Sequence, residues 1–150
     1  MLGVSLTGIL DSPLLNKKDM YLAEMLDSLK QVAIDTNKEY AEMLNIPQSA
    51  AITCVKPSGT VSQLVDSASG IHARHSKYYI RTVRGANKDP ITEFLKSEGI
   101  PNEPDITKRD TVTVFSFPMK SPSSAIFRTD MSAIEQLELW LVYQRHWCEH

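Results

Sequence analysis

The strongest constraint on this chain is a long stretch of helical periodicity set between two short apolar runs. From about Lys18 to Leu44, the apolar residues Leu22, Met25, Leu26, Leu29, Ala33, Tyr40 and Met43 recur at helical spacing. Asp27, Lys30, Lys38 and Glu42 fall off that stripe. Upstream, Leu2 to Leu10 reads as a buried strand, with Gly3 and Gly8 marking close packing or a turn. Downstream, Pro47 closes the helix and Ala50 to Val55 reads as the next buried strand. Along the whole chain strands alternate with helices, which predicts parallel packing in an α/β fold.

The remaining elements follow from local chemistry. Thr60 to Val65 predicts a short helix, and Tyr78 to Val83 a strand. Asp89 as N-cap, Pro90 at the first position and Gly99 as the stop define another helix. Asn102 to Asp110 reads as a polar loop. Thr111 to Phe117, "TVTVFSF", is a strand that Pro118 ends. "SPSS" makes a turn, and Ser132 with Glu135 forms the capping-box pattern of a final helix reaching at least Trp147. Trp140, Tyr143 and Trp147, at helical spacing, are expected in the core.

Composition narrows the function classes. The 150 residues suit one domain, with 42% hydrophobic and 23% charged residues, an ordinary globular balance. A formal net charge of −2 gives no electrostatic case for nucleic acid or an anionic membrane. No apolar run approaches the roughly 20 residues that span a bilayer. Two cysteines, Cys54 and Cys148, fit a reducing, cytoplasmic setting rather than a disulfide scaffold. The strand-like start and the amphipathic, aromatic end "LELWLVYQRHWCEH" carry the expectation of a single piece of a larger protein.

One short loop carries chemistry. In "ITCVKPSGTVSQL" a buried strand leaves through Pro57 and meets Ser58, Gly59, Thr60 and Ser62 before apolar residues resume. Glycine permits close backbone approach, and free N–H groups at a helix start attract anions, with hydroxyls as added donors. The loop has neither Walker A nor dinucleotide-fingerprint spacing. An ordinary turn with a Ser or Thr cap accounts for the same pattern, so both readings stand on pattern alone. His72, His75, His146, Cys148 and His150 are metal-ligand types. Ligands two apart on a helix diverge by roughly 200°, however, so no metal site is assigned. Cys54 reads as a buried small hydrophobe, and Arg81 and Arg84 as solvated cations at a strand end.

"LGVSLTGILDSPLL", "AITCVKPSGTVSQLVDSASGIHARHSKYYIRTVR", "TVTVFSFPMKSP" and "LVYQRHWCEH" resemble, in order, the later half of the catalytic domain of ribonucleotide reductases. They look closest to the adenosylcobalamin-dependent class II enzymes. The resemblance implies an α/β fold that is part of a ten-stranded α/β barrel. It implies thiyl-radical reduction of ribonucleotides to deoxyribonucleotides with adenosylcobalamin as cofactor. The partners it implies are a ribonucleoside di- or triphosphate, the rest of the reductase chain and an external thiol reductant such as thioredoxin. It places substrate phosphates on Pro57, Ser58, Gly59, Thr60, Val61 and Ser62. The family's Asn-x-Cys-x-Glu radical motif is absent, so no catalytic residue is assigned and the isolated chain is expected to be inactive. The alternatives are a class I large-subunit fragment and a non-catalytic split-gene piece that assembles with a partner chain.

Overall fold

The computed structural model describes residues 3–149. These form two compact units, one running up to His75 and resuming at Pro122, the other spanning Ser76–Ser121.

In the first unit, β1 (Val4–Ser5) lies parallel to β2 (Thr53–Cys54), with Val4 opposite Thr53 and Ser5 opposite Cys54. Between them runs α1 (Met20–Met43), so the expected strand–helix–strand unit is present. The Asp19 carboxylate starts α1 by accepting the Leu22 N–H at 2.9 Å. The helix stops before Pro47: Asn45 takes a left-handed φ of 52° and the Ile46 N–H returns to the Ala41 carbonyl at 3.0 Å. Asparagine tolerates that conformation and closes a helix much as glycine does.

The first strand is shorter than its apolar run. Gly8, at φ 72°, bends the chain into a 3-10 turn, Ile9–Asp11, which buries Ile9 and Leu10. Leu2 lies outside the described residues. Ile9, Leu10, Leu22 and Leu26 pack with Leu139 and Tyr143 of α4 (Ala133–His146) and with its C-cap Trp147 to form the core. Each such buried side chain contributes about 1.5–3 kcal/mol. The Ser132–Glu135 capping box that starts α4 is formed as read. Tyr143 and Trp147 also satisfy their polar tips, donating to the Leu15 carbonyl at 2.8 Å and the Cys54 carbonyl at 2.7 Å. Trp140, expected in the core, is 47% exposed. The α1 stripe is likewise buried only through Leu26. Beyond it, Tyr40 and Leu44 border an apolar groove of about 480 Å³, also lined by Ala33, Ile46 and Ile52.

The second unit is antiparallel, a correction to the expectation of parallel strands throughout. Its sheet order is β3 (Tyr78–Ala86), β5 (Val112–Lys120), β4 (Asn102–Pro104). The strand read as Tyr78 to Val83 thus extends to Ala86. The helix α3 (Pro90–Ser97) lies between β3 and β4, capped by Asp89 and followed by Gly99 as read. The polar stretch from Asn102 hides a strand, because a short exposed edge needs no apolar alternation. Pro118 does not end β5. Only Thr113 to Phe115 pair with β4, so Pro118 sits where that side of β5 is an open edge and its missing N–H breaks no ladder.

Just after β4, the Thr107 hydroxyl donates to the buried Asp105 carboxylate at 2.7 Å. Arg84 Nε donates at 2.8 Å and the Thr107 N–H at 2.9 Å. Together they hold its pKa well below the usual carboxylate range. A depressed pKa contributes stability that is fully present above the unfolded value, near 4, and lost as pH falls through the folded value. Asp105→Asn is therefore expected to lower the denaturation midpoint at pH 7. The gap from the unsubstituted protein should narrow as pH drops below about 4.

Candidate functional site

The carboxyl end of β2 leads through Val55 and Lys56 into the loop Pro57–Ser62, and α2 (Val61–Leu64) follows as a single turn. In an α/β fold this is where ligands gather. A helix of one turn has little macrodipole, so anion binding here rests on local donors. Those donors are specific. Among the described residues the N–H groups of Gly59, Thr60 and Val61 have no hydrogen-bond partner, and Thr60 makes no side-chain cap bond. All three residues are exposed. A side-chain Cβ at Gly59 would meet no atom within 4 Å. The fold therefore has no steric need for glycine there.

Ser58 and Ser62 are occupied otherwise. The Ser62 N–H donates to Ser58 Oγ at 2.9 Å and Ser62 Oγ donates to the Ser58 carbonyl at 2.5 Å, with Ser62 fully buried. The Ser62 hydroxyl closes the turn from inside. The Ser58 N–H donates to Ser69 Oγ at 2.8 Å. Pro57 is exposed and Ser58 half-buried.

The turn carrying Ser69 is clamped to the segment after β1. Ala68 O accepts the Gly8 N–H at 2.8 Å and the Thr7 hydroxyl at 3.0 Å. The Gly70 N–H donates to Thr7 Oγ1 at 2.9 Å, and the Ala68 N–H to Asp11 Oδ2 at 2.7 Å. Gly70 has φ 54°, and a Cβ there would come within 2.8 Å of the Lys56 carbonyl, so glycine is required. Behind the turn, Arg74 is 5% exposed. Its guanidinium donates to both Asp11 carboxylate oxygens at 2.9–3.2 Å, to the Asp66 carbonyl at 2.7 Å and to Asp66 Oδ1 at 3.3 Å. Asp11, Ser69 and Arg74 were not singled out from the sequence. The one available signal was an arginine within a run of small residues, "SASGIHAR".

The other candidates do not converge on this loop. His146 Nδ1 pairs with Asp27 Oδ2 at 2.9 Å, His72 and His75 are exposed, and His150 lies outside the described residues. No group of three His, Cys, Asp or Glu side chains gathers as a metal site among the described residues. Cys54 and Cys148 are partly buried free thiols, and burial pushes the Cys148 pKa up. Arg81 and Arg84 belong to the second unit, where Arg84 is engaged by Asp105. Glu149 was also missed. Its carboxylate accepts the Thr53 N–H at 2.8 Å, the Ile52 N–H at 2.5 Å and the Thr53 hydroxyl at 3.1 Å, which lowers its pKa.

Comparison with known proteins places the chain in a family. No family model matches the chain. An adenosylcobalamin-dependent ribonucleoside-triphosphate reductase of Lactobacillus gasseri is 34% identical over 136 residues, covering 88% of this chain and 18% of the relative. The protein of the same name from Euglena gracilis is 32% identical, covering 99% of this chain and 20% of the relative. The crystal structure of a B12-dependent (class II) ribonucleotide reductase superposes with a TM-score of 0.81 at 26% identity, over 99% of this chain and 24% of that one. The chain belongs to the ribonucleotide reductase family. Its fold is that of part of the class II α/β barrel, and it spans about a fifth of the length of the curated reductases it matches.

The cofactor in those reductases' names finds no seat among the described residues. A corrin with its amide-bearing rim calls for a broad surface of hydrogen-bond partners, whereas the α1 groove is lined mainly by apolar side chains. Nor is any described helix long and apolar enough to cross a membrane.

The Arg74 network yields a stability prediction. Arg74→Ala leaves Asp11 facing a protein interior without its counter-charge, a change expected to cost about 3–5 kcal/mol. Arg74→Lys should recover only part of this, since an ammonium cannot reproduce the planar fork. Chemical denaturation of the three proteins checks both.

Proposed function

We propose that this chain is a stretch of the catalytic polypeptide of an adenosylcobalamin-dependent ribonucleoside-triphosphate reductase, in which Pro57–Ser62 holds the substrate's phosphates. The observation that carries the loop assignment is the run of three unengaged, exposed N–H groups at Gly59, Thr60 and Val61, at the carboxyl end of a barrel strand. Thr60 Oγ1 adds a fourth donor. Ser58 and Ser62 act one step back, shaping the turn through their mutual hydrogen bonds. Adenosylcobalamin supplies the radical when bound. What these residues contribute is substrate binding and orientation, which fixes the ribose relative to the reacting groups. The hydrogen-abstracting cysteine belongs to sequence beyond this stretch. Cys54 and Cys148, half-buried beside the last turn of α4, do not face the loop's free donors by any hydrogen bond. The rest of the reductase polypeptide and an external thiol reductant such as thioredoxin complete the system.

Charge-assisted hydrogen bonds of this kind are worth about 1.5–3 kcal/mol each. In the full-length reductase, Thr60→Ala is therefore expected to raise the KM for ribonucleoside triphosphate roughly 10- to 100-fold. Unchanged KM and kcat/KM would return the loop to an ordinary helix cap. Turnover with adenosylcobalamin and no second subunit distinguishes the class II assignment from a class I large subunit.

The chain by itself is proposed to have no reductase activity, because positioning cannot replace a missing hydrogen-abstracting group. The apolar groove bordered by Tyr40 and Leu44 should also make the isolated polypeptide associate. A monodisperse, cooperatively melting monomer in analytical ultracentrifugation and calorimetry would contradict that.

A further inference from the structure

We infer that Ser69 is a positioning residue for the phosphate loop, held as a fixed post by the Thr7–Asp11 segment and the buried Arg74. This rests on the assignment of Pro57–Ser62 to substrate phosphate.

The route from Ser69 to the free donors is short. Ser69 Oγ accepts the Ser58 N–H, a side-chain bond across eleven residues of sequence. Ser58 in turn receives the Ser62 N–H on its hydroxyl and the Ser62 hydroxyl on its carbonyl. The free N–H groups of Gly59, Thr60 and Val61 lie between those two serines, so the orientation of Ser58 sets where they point.

Ser69 is itself immobilised from both sides. Ala68 before it is bonded through N–H and carbonyl to Asp11, Gly8 and Thr7, and Gly70 after it to Thr7 and Ile9. The Ser69 carbonyl accepts the His72 N–H at 2.9 Å. Only its hydroxyl reaches the loop. Without that hydroxyl, the Ser58 N–H becomes one more unengaged donor, free to rotate toward solvent, and the three neighbouring donors lose a common orientation. The turn at 66–70 keeps its remaining bonds, so the change falls on ligand binding rather than on the fold.

The test compares equilibrium binding of a ribonucleoside triphosphate and of the same ribonucleoside without phosphates to the full-length reductase. Unsubstituted protein, Ser69→Ala, Ser69→Thr and Thr60→Ala are measured side by side. Ser69→Ala is expected to weaken triphosphate binding about 3- to 10-fold, the effect of one lost neutral hydrogen bond. Binding of the unphosphorylated nucleoside should be unchanged. Ser69→Thr, which keeps the hydroxyl, should restore triphosphate affinity to within about twofold. If Thr60→Ala weakens triphosphate binding and Ser69→Ala does not, the role of Ser69 is wrong while the loop assignment stands. If Ser69→Ala weakens triphosphate and nucleoside alike, Ser69 is a general structural residue and the inference is overturned. If neither variant affects triphosphate binding, the loop assignment falls and takes this inference with it.

Discussion

The guanidinium of Arg74 is the interaction on which the first unit's loops depend. One buried cation serves the Asp11 carboxylate, the Asp66 carboxylate and the Asp66 carbonyl. Asp66 sits at φ 46°, a left-handed conformation that aspartate tolerates, and this turns its carbonyl toward Arg74. The backbone of Arg74 is equally engaged. Its N–H donates to the Ile126 carbonyl at 3.1 Å and its carbonyl accepts from Arg128 at 3.0 Å, while the Ile126 N–H reaches Leu10 O at 2.9 Å. Three stretches distant in sequence, around residues 10, 70 and 126, thus meet at one residue, the first two through its side chain and backbone neighbourhood and the last through its backbone. A lysine could neutralise the charge but could not serve several acceptors in one plane.

Much of the architecture was legible where local chemistry and burial agree. Asp19, Asp89 and Ser132 cap helices, and the strand–helix–strand unit around α1 has the expected parallel pairing. The misreadings have a common physical origin. Periodicity reports a face that is apolar, not one that is covered: on the α1 stripe Leu22 and Leu26 are buried, whereas Leu29, Tyr40 and Met43 are exposed. Apolar runs do not specify backbone curvature, so Leu2 to Leu10 looked like one strand although Gly8 turns it into a 3-10 segment. Edge pairing leaves little trace in composition, which hid β4 and let Pro118 pass for a terminator.

The candidate loop shows a different limit. The residue types in "PSGTVS" pointed to an anion, but not to which hydroxyls remain free for it. Side-chain partners drawn from residues 58 and 62 consume both serines, leaving the backbone and Thr60 as the outward face. Ser69 and Asp11 could not have been chosen from sequence, because nothing local distinguishes a serine or aspartate that bonds across tens of residues from one that faces water. The family likeness supplied the fold class and the class of ligand. Only the folded geometry separates the residues that face outward from those that hold them.

Gly59 separates two demands that usually fall on the same glycine. Gly70 is required by its own backbone and by the Lys56 carbonyl, so its replacement damages the fold whatever the protein does. Gly59 has ordinary space around it and no positive φ, so any L-residue fits the free protein. Thermal stability is therefore blind to position 59. Whatever intolerance to larger side chains a mutational scan finds there is a footprint of the molecule that approaches from outside, read on a background where folding has no vote.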